Sequence, residues 1–89
     1  MSAGPVVTLY GRADCHLCED ARTLLGPLAN ELGLRLVEVD IEDDPAAELQ
    51  YRWAIPVVCM DGVEVARAPI RAARLEEALR AGVRAAQAR

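Results

Sequence analysis

The chain of 89 residues is long enough for one domain with a modest hydrophobic core. Its content of 53% apolar and 27% charged residues is typical of a globular protein and argues against a disordered chain or a membrane span. The net charge is −4 and the ten basic residues, all arginines, are scattered, so the chain lacks the basic stripe of a nucleic-acid-binding protein.

The N-terminus and the cysteine content predict the cellular compartment. Residues 1–5 lack the basic region and apolar core of an export signal, so we expect a cytoplasmic protein with no membrane partner. Three cysteines are an odd number, and a reducing compartment does not favour a structural disulfide framework. A catalytic or metal-binding cysteine pair is therefore favoured.

The first third of the chain predicts a strand followed by a long helix. Residues 6–10 form a short β-branched and aromatic run typical of a buried strand, and residues 11–14 form a turn. Apolar residues at steps of three and four then predict one helix face: Leu17, Ala21, Leu24, Leu28 and Leu32. Gly26-Pro27 predicts a kink or two helical pieces, and Gly33 predicts the helix end.

The middle of the chain predicts a second strand and a short second helix. Residues 34–39 alternate as in a partly buried strand, and the acidic run 40–44 favours a solvated loop over a metal cluster. Asp44 is a suitable N-cap, with Pro45 at the first helical position. Three residues of this helix are predicted to face the core: Ala46, Leu49 and Trp53.

The last third predicts a hairpin and a final helix. Residues 55–60 form a third strand with proline near its start, and Asp61-Gly62 is a two-residue turn into a fourth strand at 63–66. A last helix begins near 70–71 and frays after Ala85. Its inward residues are predicted to be Leu75, Leu79, Gly82, Val83 and Ala86.

The order of the elements predicts the fold class. It is β-α-β-α-β-β-α, in which a helical crossover makes the first two strands parallel and the tight turn makes the last two antiparallel. We therefore predict a single α/β domain over residues 1–89, with a four-stranded mixed sheet flanked by helices on both faces.

The chemistry of the chain is predicted to centre on Cys15-His16-Leu17-Cys18, where the first strand passes into the first helix. Cysteines three residues apart lie on one face of a helical turn, close enough to form a disulfide. This pattern is the redox signature of thioredoxin-like folds.

From about Val6 to Leu79 the chain resembles the glutaredoxin-like branch of the thioredoxin-fold superfamily. The motifs that carry the resemblance are Leu9-Tyr10-Gly11-Arg12 before Cys15-His16-Leu17-Cys18, Val39-Asp40-Ile41, Ile55-Pro56-Val57 and Asp61-Gly62. The resemblance implies a thioredoxin-like fold and a dithiol oxidoreductase with nucleophilic Cys15 and resolving Cys18. It also implies that Pro56 is the cis-proline of this fold and that Ile55 offers backbone groups to the substrate. Arg12 matches the position of a lysine that many glutaredoxins carry near the thiolate.

The chemistry of thiol–disulfide exchange explains these residue types, because the thiolate rather than the thiol attacks. A helix N-terminus and Arg12 both stabilise an anion at Cys15, whereas Asp14 opposes it unless its side chain caps the helix. His16 either assists the thiolate when protonated or is an exposed residue with a small effect, and the second reading is favoured. Cys59 lies about 10 Å along a strand from Pro56 and is predicted to be a buried strand residue.

The segment before the last helix departs from the glutaredoxin pattern. Typical glutaredoxins have a Gly-Gly pair and an acidic residue there, which hold glutathione, whereas this chain has residues 67–71, with sequence RAPIR. Arg67 or Arg71 either pairs with a substrate carboxylate or is simply solvated.

Three classes of function remain at this stage. The first is the thiol–disulfide oxidoreductase, with no bound cofactor and with glutathione, another low-molecular-weight thiol or a reductase as reductant. Its partners would be disulfide-containing proteins or small thiols, and we expect a monomer. The alternatives are a metal- or iron–sulfur-binding module and a non-catalytic interaction domain on the same fold.

Overall fold

A computed structural model describes residues 4–88. Residues 1–3, on which the prediction about an export signal partly depends, lie outside the described residues, as does residue 89. The elements are β1 (Val6–Gly11), α1 (His16–Leu32), β2 (Arg35–Asp40), a 3-10 turn (Ile41–Asp43), α2 (Pro45–Tyr51), β3 (Val57–Met60), β4 (Val63–Arg67) and α3 (Ala72–Gln87).

The four strands form one mixed sheet in the order β2-β1-β3-β4. β1 pairs in parallel with β2 and antiparallel with β3, and β3 pairs antiparallel with β4. The predicted mixed α/β architecture is therefore confirmed. The strand bounds differ from the predicted ones by one or two residues, most at β3, which begins at Val57 rather than at residue 55.

Helices α1 and α3 cover one face of the sheet and form the larger core. Because successive strand residues point to opposite faces, Val58 belongs to this core while its neighbours do not. Its buried members are Val7, Leu9, Ala21, Leu25, Ala29, Leu34, Val58, Met60, Leu75 and Leu79.

Helix α2 covers the other face and forms a smaller core. The buried members are Ile41, Ala47, Tyr51, Val57 and Cys59. Helices thus lie on both faces, as predicted. None of the helices within residues 4–88 is both long and apolar enough to cross a bilayer.

Helix α1 is continuous, so the prediction of two helical pieces is wrong. Pro27 lies inside the helix and is exposed. Its missing N–H costs about 3 kcal/mol in a helix interior, but Leu25 and Ala29 on either side are buried and hold both turns against the sheet. Gly26 lacks the Cβ that would clash with the proline ring. The helix ends at Gly33 in the left-handed region (φ 70°), as predicted.

The predicted inward face of α2 is wrong. Leu49 is 71% exposed and Trp53 is 93% exposed, and Ala46 is exposed as well. The buried pair is Ala47 and Tyr51. Trp53 lies beyond the last helical residue, so helical spacing does not apply to it. Asp44 caps the helix as predicted, with its carboxylate accepting the N–H of Ala47 at 3.2 Å.

The hairpin turn is confirmed, since Asp61 and Gly62 both have positive φ, at 49° and 85°. The Asp61 carboxylate accepts the N–H of Val6 at 2.9 Å, and the Asp61 N–H donates to the carbonyl of Val6 at 2.8 Å. The turn is thereby joined to the start of β1. Helix α3 continues to Gln87, past the predicted fraying point at residue 85.

Candidate active site at the start of helix α1

Cys15 is the N-cap of α1. Its backbone is extended (φ −112°, ψ 109°), its Sγ accepts the N–H of Cys18 at 3.2 Å, and its carbonyl accepts the N–H of Glu19 at 3.1 Å. Asp14 is exposed and is not the cap residue. The sulfur of Cys15 therefore lies against the positive end of the helix, where it accepts a backbone N–H that has no partner within the helix.

The two cysteines form a disulfide and differ in accessibility. Their Cα atoms are 5.2 Å apart. Cys18 is only 1% exposed, whereas Cys15 is partly exposed. An external sulfur can therefore reach Cys15 but not Cys18, which is the asymmetry that a nucleophile and a resolving cysteine require.

Gly11, the last residue of β1, allows Cys18 to lie this deep. A Cβ at Gly11 would lie 3.0 Å from the Sγ and 3.1 Å from the Cβ of Cys18. Gly11 was predicted only as part of a turn, and its packing against Cys18 is an additional role. The sequence feature that could have indicated this role is a glycine at the end of the strand that leads into the cysteine pair.

A cavity of about 390 Å³ lies beside Cys18 on the β2 side. Arg12 lines it, so this arginine borders the buried cysteine. Arg22 and Glu38 also line it and are joined by a hydrogen bond that raises the pKa of Arg22 above its ordinary value. Both charge signs are thus present at this side of the cysteine pair.

His16 points to solvent, with its side chain 87% exposed. Its Nε2 lies 3.6 Å from the carboxylate of Asp20, an ion pair when the imidazole is protonated. An exposed pair of this kind is weak.

Strand register places Pro56 near the end of β1, and Pro56 lines a cavity together with Leu17 from the first turn of α1. Tyr10 pairs with Val57, so the end of β1 and the start of β3 are side by side. The Ile55–Pro56 peptide bond is cis. The N–H of Ile55 donates to the carbonyl of Tyr51 at 3.2 Å and the carbonyl of Pro56 accepts from Ala68 at 2.9 Å, so two of the backbone groups here have partners inside the protein.

A mainly apolar groove of about 110 Å³ lies between the first turns of α1 and Pro56. Leu17, which is 56% exposed, forms one wall and comes from between the two cysteines. Pro69 and Ile70, from the segment before α3, form another. We call this the Pro56 groove.

A second cavity of about 300 Å³ shares Pro69 and Ile70 with the Pro56 groove. Its lining includes Arg67, Arg71 and Arg74, and we call it the basic pocket. Arg67 makes two hydrogen bonds to Glu64, at 2.6 and 2.8 Å, which lower the pKa of that carboxyl. Within residues 4–88, no carboxylate lies at ion-pair distance from Arg71 or Arg74. Arg74 was not among the predicted site residues, because the pocket that it lines forms only where β4 and α3 meet.

Cys59 lies apart from this site, as predicted. It is 3% exposed and belongs to the smaller core under α2. Its sulfur lies 3.7 Å from the hydroxyl of Tyr51, and this hydrogen bond together with burial raises the pKa of Tyr51 to about 12. Among the described residues, no three His, Cys, Asp or Glu side chains are grouped so as to hold a metal ion.

Comparisons with known proteins agree with this geometry. Residues 6–80 match the model of the glutaredoxin-like domain family DUF836. A structural-genomics target protein from X. campestris is 37% identical, with a TM-score of 0.71 over 84% of this chain and 96% of that one. Thioredoxin 1 from Thermosipho africanus is 11% identical, with a TM-score of 0.71 over 92% of this chain and 98% of that one.

A protein from Nitrosomonas europaea, known from a solution structure, is 20% identical with a TM-score of 0.70, over 86% of this chain and 93% of that one. The last two likenesses concern the fold. The likeness to thioredoxin 1 shows that this chain has a thioredoxin-like fold. The family match over residues 6–80 means that the chain belongs to the glutaredoxin-like domain family.

Proposed function

We propose that the protein is a thiol–disulfide oxidoreductase that uses Cys15 as nucleophile and Cys18 as resolving cysteine. The observation that carries the proposal is the arrangement of the two sulfurs. One is partly exposed and caps a helix, and the other is buried one turn further on. The structure corresponds to the oxidised state of such a protein.

In the reductive direction, the Cys15 thiolate attacks one sulfur of a substrate disulfide. A Cys15–substrate disulfide forms, and the other substrate sulfur leaves as a thiolate that takes a proton from water. The N–H of Cys18 and the N-terminus of α1 favour the negative charge on Cys15 before the attack.

Cys18 then loses its proton and attacks the Sγ of Cys15. The Cys15–Cys18 disulfide forms, the second substrate sulfur leaves as a thiolate, and two electrons have passed from the protein to the substrate. The Cα separation of 5.2 Å between the two cysteines suits this ring closure. Two equivalents of a low-molecular-weight thiol, glutathione or another, or a reductase would restore the dithiol.

The neighbouring residues are assigned supporting roles. The substrate chain lies in the Pro56 groove, with the carbonyl of Ile55 as a backbone acceptor beside Pro56. Arg12 and His16 adjust the charge around the cysteine pair. Arg67 and Arg71 contact the substrate beyond the groove. The setting is cytoplasmic, the working form is a monomer, and no cofactor is held.

Trapping tests this function. In Cys18→Ser the first attack proceeds but the second does not, so a substrate disulfide should leave a stable mixed disulfide at Cys15, detected by mass spectrometry. Cys15→Ser should trap nothing. Cys59→Ser is the matched control, because it removes the buried third thiol and should leave turnover of a model disulfide unchanged.

Two results would refute the proposal. One is a reduced wild-type protein that does not reduce any model disulfide. The other is Cys18→Ser protein that remains a free thiol after exposure to an excess of disulfide.

A further inference from the structure

We propose that the basic pocket binds a carboxylate of the substrate and so selects polypeptide disulfides that have an acidic side chain near the reacting cysteine. This inference rests on the proposed function, since it names the substrate class of that site. The observation that carries it is a cavity lined by three arginines next to the path of the substrate.

The basic pocket adjoins the Pro56 groove, because the two cavities share part of their lining. Pro69 and Ile70 line both cavities, so a chain whose sulfur is bound to Cys15 and that follows the groove past Pro56 arrives at the arginines. The groove is lined mainly by apolar side chains, with Asp20 at its edge, whereas the pocket presents guanidinium groups. A substrate segment that fits both has its acidic side chain a short distance from its cysteine.

Two of the three arginines that line the basic pocket have no carboxylate at ion-pair distance within residues 4–88. Arg67 is held by Glu64 through two hydrogen bonds, which leaves Arg71 and Arg74 to face the cavity. Arg71 is also the N-cap of α3 and makes no side-chain hydrogen bond to the helix start. Guanidinium groups bind carboxylates through paired hydrogen bonds, and the uncapped helix end adds to the same preference.

The same charges disfavour the γ-glutamyl end of glutathione. That end has an α-ammonium group next to its α-carboxylate, and the ammonium needs a negative partner. The first turn of α3 contains no acidic residue, and Glu64 is already bound to Arg67. An aspartate or glutamate side chain of a polypeptide brings a carboxylate without an ammonium and therefore fits the basic pocket better.

The charge of the rest of the protein limits the attraction of an acidic peptide to the region of the basic pocket. The net charge is −4, so an acidic peptide is not attracted by the molecule as a whole. Exposed charges act over roughly 8–10 Å at physiological salt. Selection should therefore depend on where the acidic residue lies relative to the substrate cysteine, and it should weaken as salt concentration rises.

The test compares two peptide disulfides that differ only in one glutamate or glutamine, placed two to four residues from the cysteine. Wild-type protein should reduce the glutamate peptide about tenfold faster in kcat/KM, the effect of roughly one charge-assisted hydrogen bond. The double variant Arg71→Gln with Arg74→Gln should lose that preference, so that its kcat/KM values for the two peptides become equal.

The matched control is Arg35→Gln with Arg84→Gln, which removes two exposed arginines outside the basic pocket and changes the net charge equally. It should keep the preference. The inference is overturned if the wild type does not distinguish the two peptides, or if the control variant loses the preference as fully as the pocket variant. Glutathione disulfide is tested as a third substrate. The inference is also overturned if the double variant slows the reduction of glutathione disulfide more than that of the glutamate peptide.

A binding measurement separates this inference from the proposed function. The glutamate peptide with serine in place of cysteine is titrated into the oxidised protein, and the side-chain NMR signals of Arg71 and Arg74 are followed. Saturable shifts that the glutamine peptide does not cause support the pocket even if turnover is absent. Equal or absent shifts with both peptides refute it even if disulfides are reduced.

Discussion

Replacing Gly11 with alanine should damage both the stability of the protein and its cysteine pair. Gly11 ends β1, and its φ is not in the left-handed region that only glycine favours, so the backbone itself accepts alanine. The added methyl group would lie 3.0 Å from the Sγ and 3.1 Å from the Cβ of Cys18, where ordinary contacts begin at 3.4 Å. Cys18 is 1% exposed, so this close contact falls inside the protein rather than at its surface.

The size of the effect follows from two opposing terms. Overpacking of a buried site costs about 1–3 kcal/mol, while alanine gains about 0.5–1 kcal/mol over glycine by restricting the unfolded chain. The free energy of unfolding should therefore fall by about 1 kcal/mol, and by no more than about 2.5 kcal/mol; a fall of about 1 kcal/mol lowers Tm by roughly 4–8 °C in a domain of this size.

The assay is urea unfolding of the reduced proteins, arranged as a double-mutant cycle with Cys18→Ala. Removing the sulfur of Cys18 relieves the closer of the two contacts, so Gly11→Ala should cost less in that background, with a coupling of about 0.5 kcal/mol or more. Displacement of Cys18 should also slow its attack on the mixed disulfide in otherwise wild-type protein. A variant as stable as wild type, or a coupling of zero, would contradict this account of Gly11.

The remaining predictions concern the smaller core. Tyr51→Ala should lower the free energy of unfolding by about 3–4 kcal/mol because the ring is buried, whereas Trp53→Ala should change it by less than about 0.5 kcal/mol. Urea unfolding measures both values. Equal losses for the two variants would mean that Trp53 faces the core, as the sequence predicted. Because the fold raises the pKa of Tyr51 from 10.0 to about 12, its stabilising effect is complete below pH 10 and is lost as pH rises from 10 to 12. Stability measured across this range should fall less steeply in Tyr51→Phe, and identical slopes would argue against a raised pKa.

Local signals in the sequence predicted most of the fold. Asp61-Gly62 supplies the two positive φ angles of its turn, and Asp44 followed by Pro45 starts α2. Each of these depends on residues that are neighbours in the chain, which is why a single sequence contains enough information for them. The cysteine pair was located for the same reason, at the point where β1 passes into α1.

The wrong predictions concern contacts between distant parts of the chain. A helix of seven residues has too few turns for spacing to define its inner face, and it is Ile41 and Val57 that select Tyr51 over Leu49. Pro27 is tolerated because the turns on either side are held by the sheet. The basic pocket exists only where β4 and α3 meet, so its third arginine had no local signal.

The candidate site is assembled from two halves of the chain, which the pairing of β1 with β3 brings together. Cys15 and Cys18 belong to the β1–α1–β2 half, whereas Pro56 and the basic pocket belong to the half that contains β3, β4 and α3. The Asp61 contacts with Val6 join these halves across 55 residues of sequence. A chain in which only the β1–α1–β2 half is folded therefore has the cysteine pair but lacks the basic pocket. The proposed preference for acidic polypeptide disulfides requires both halves to be docked. A measurement of that preference therefore also shows whether the fold is complete.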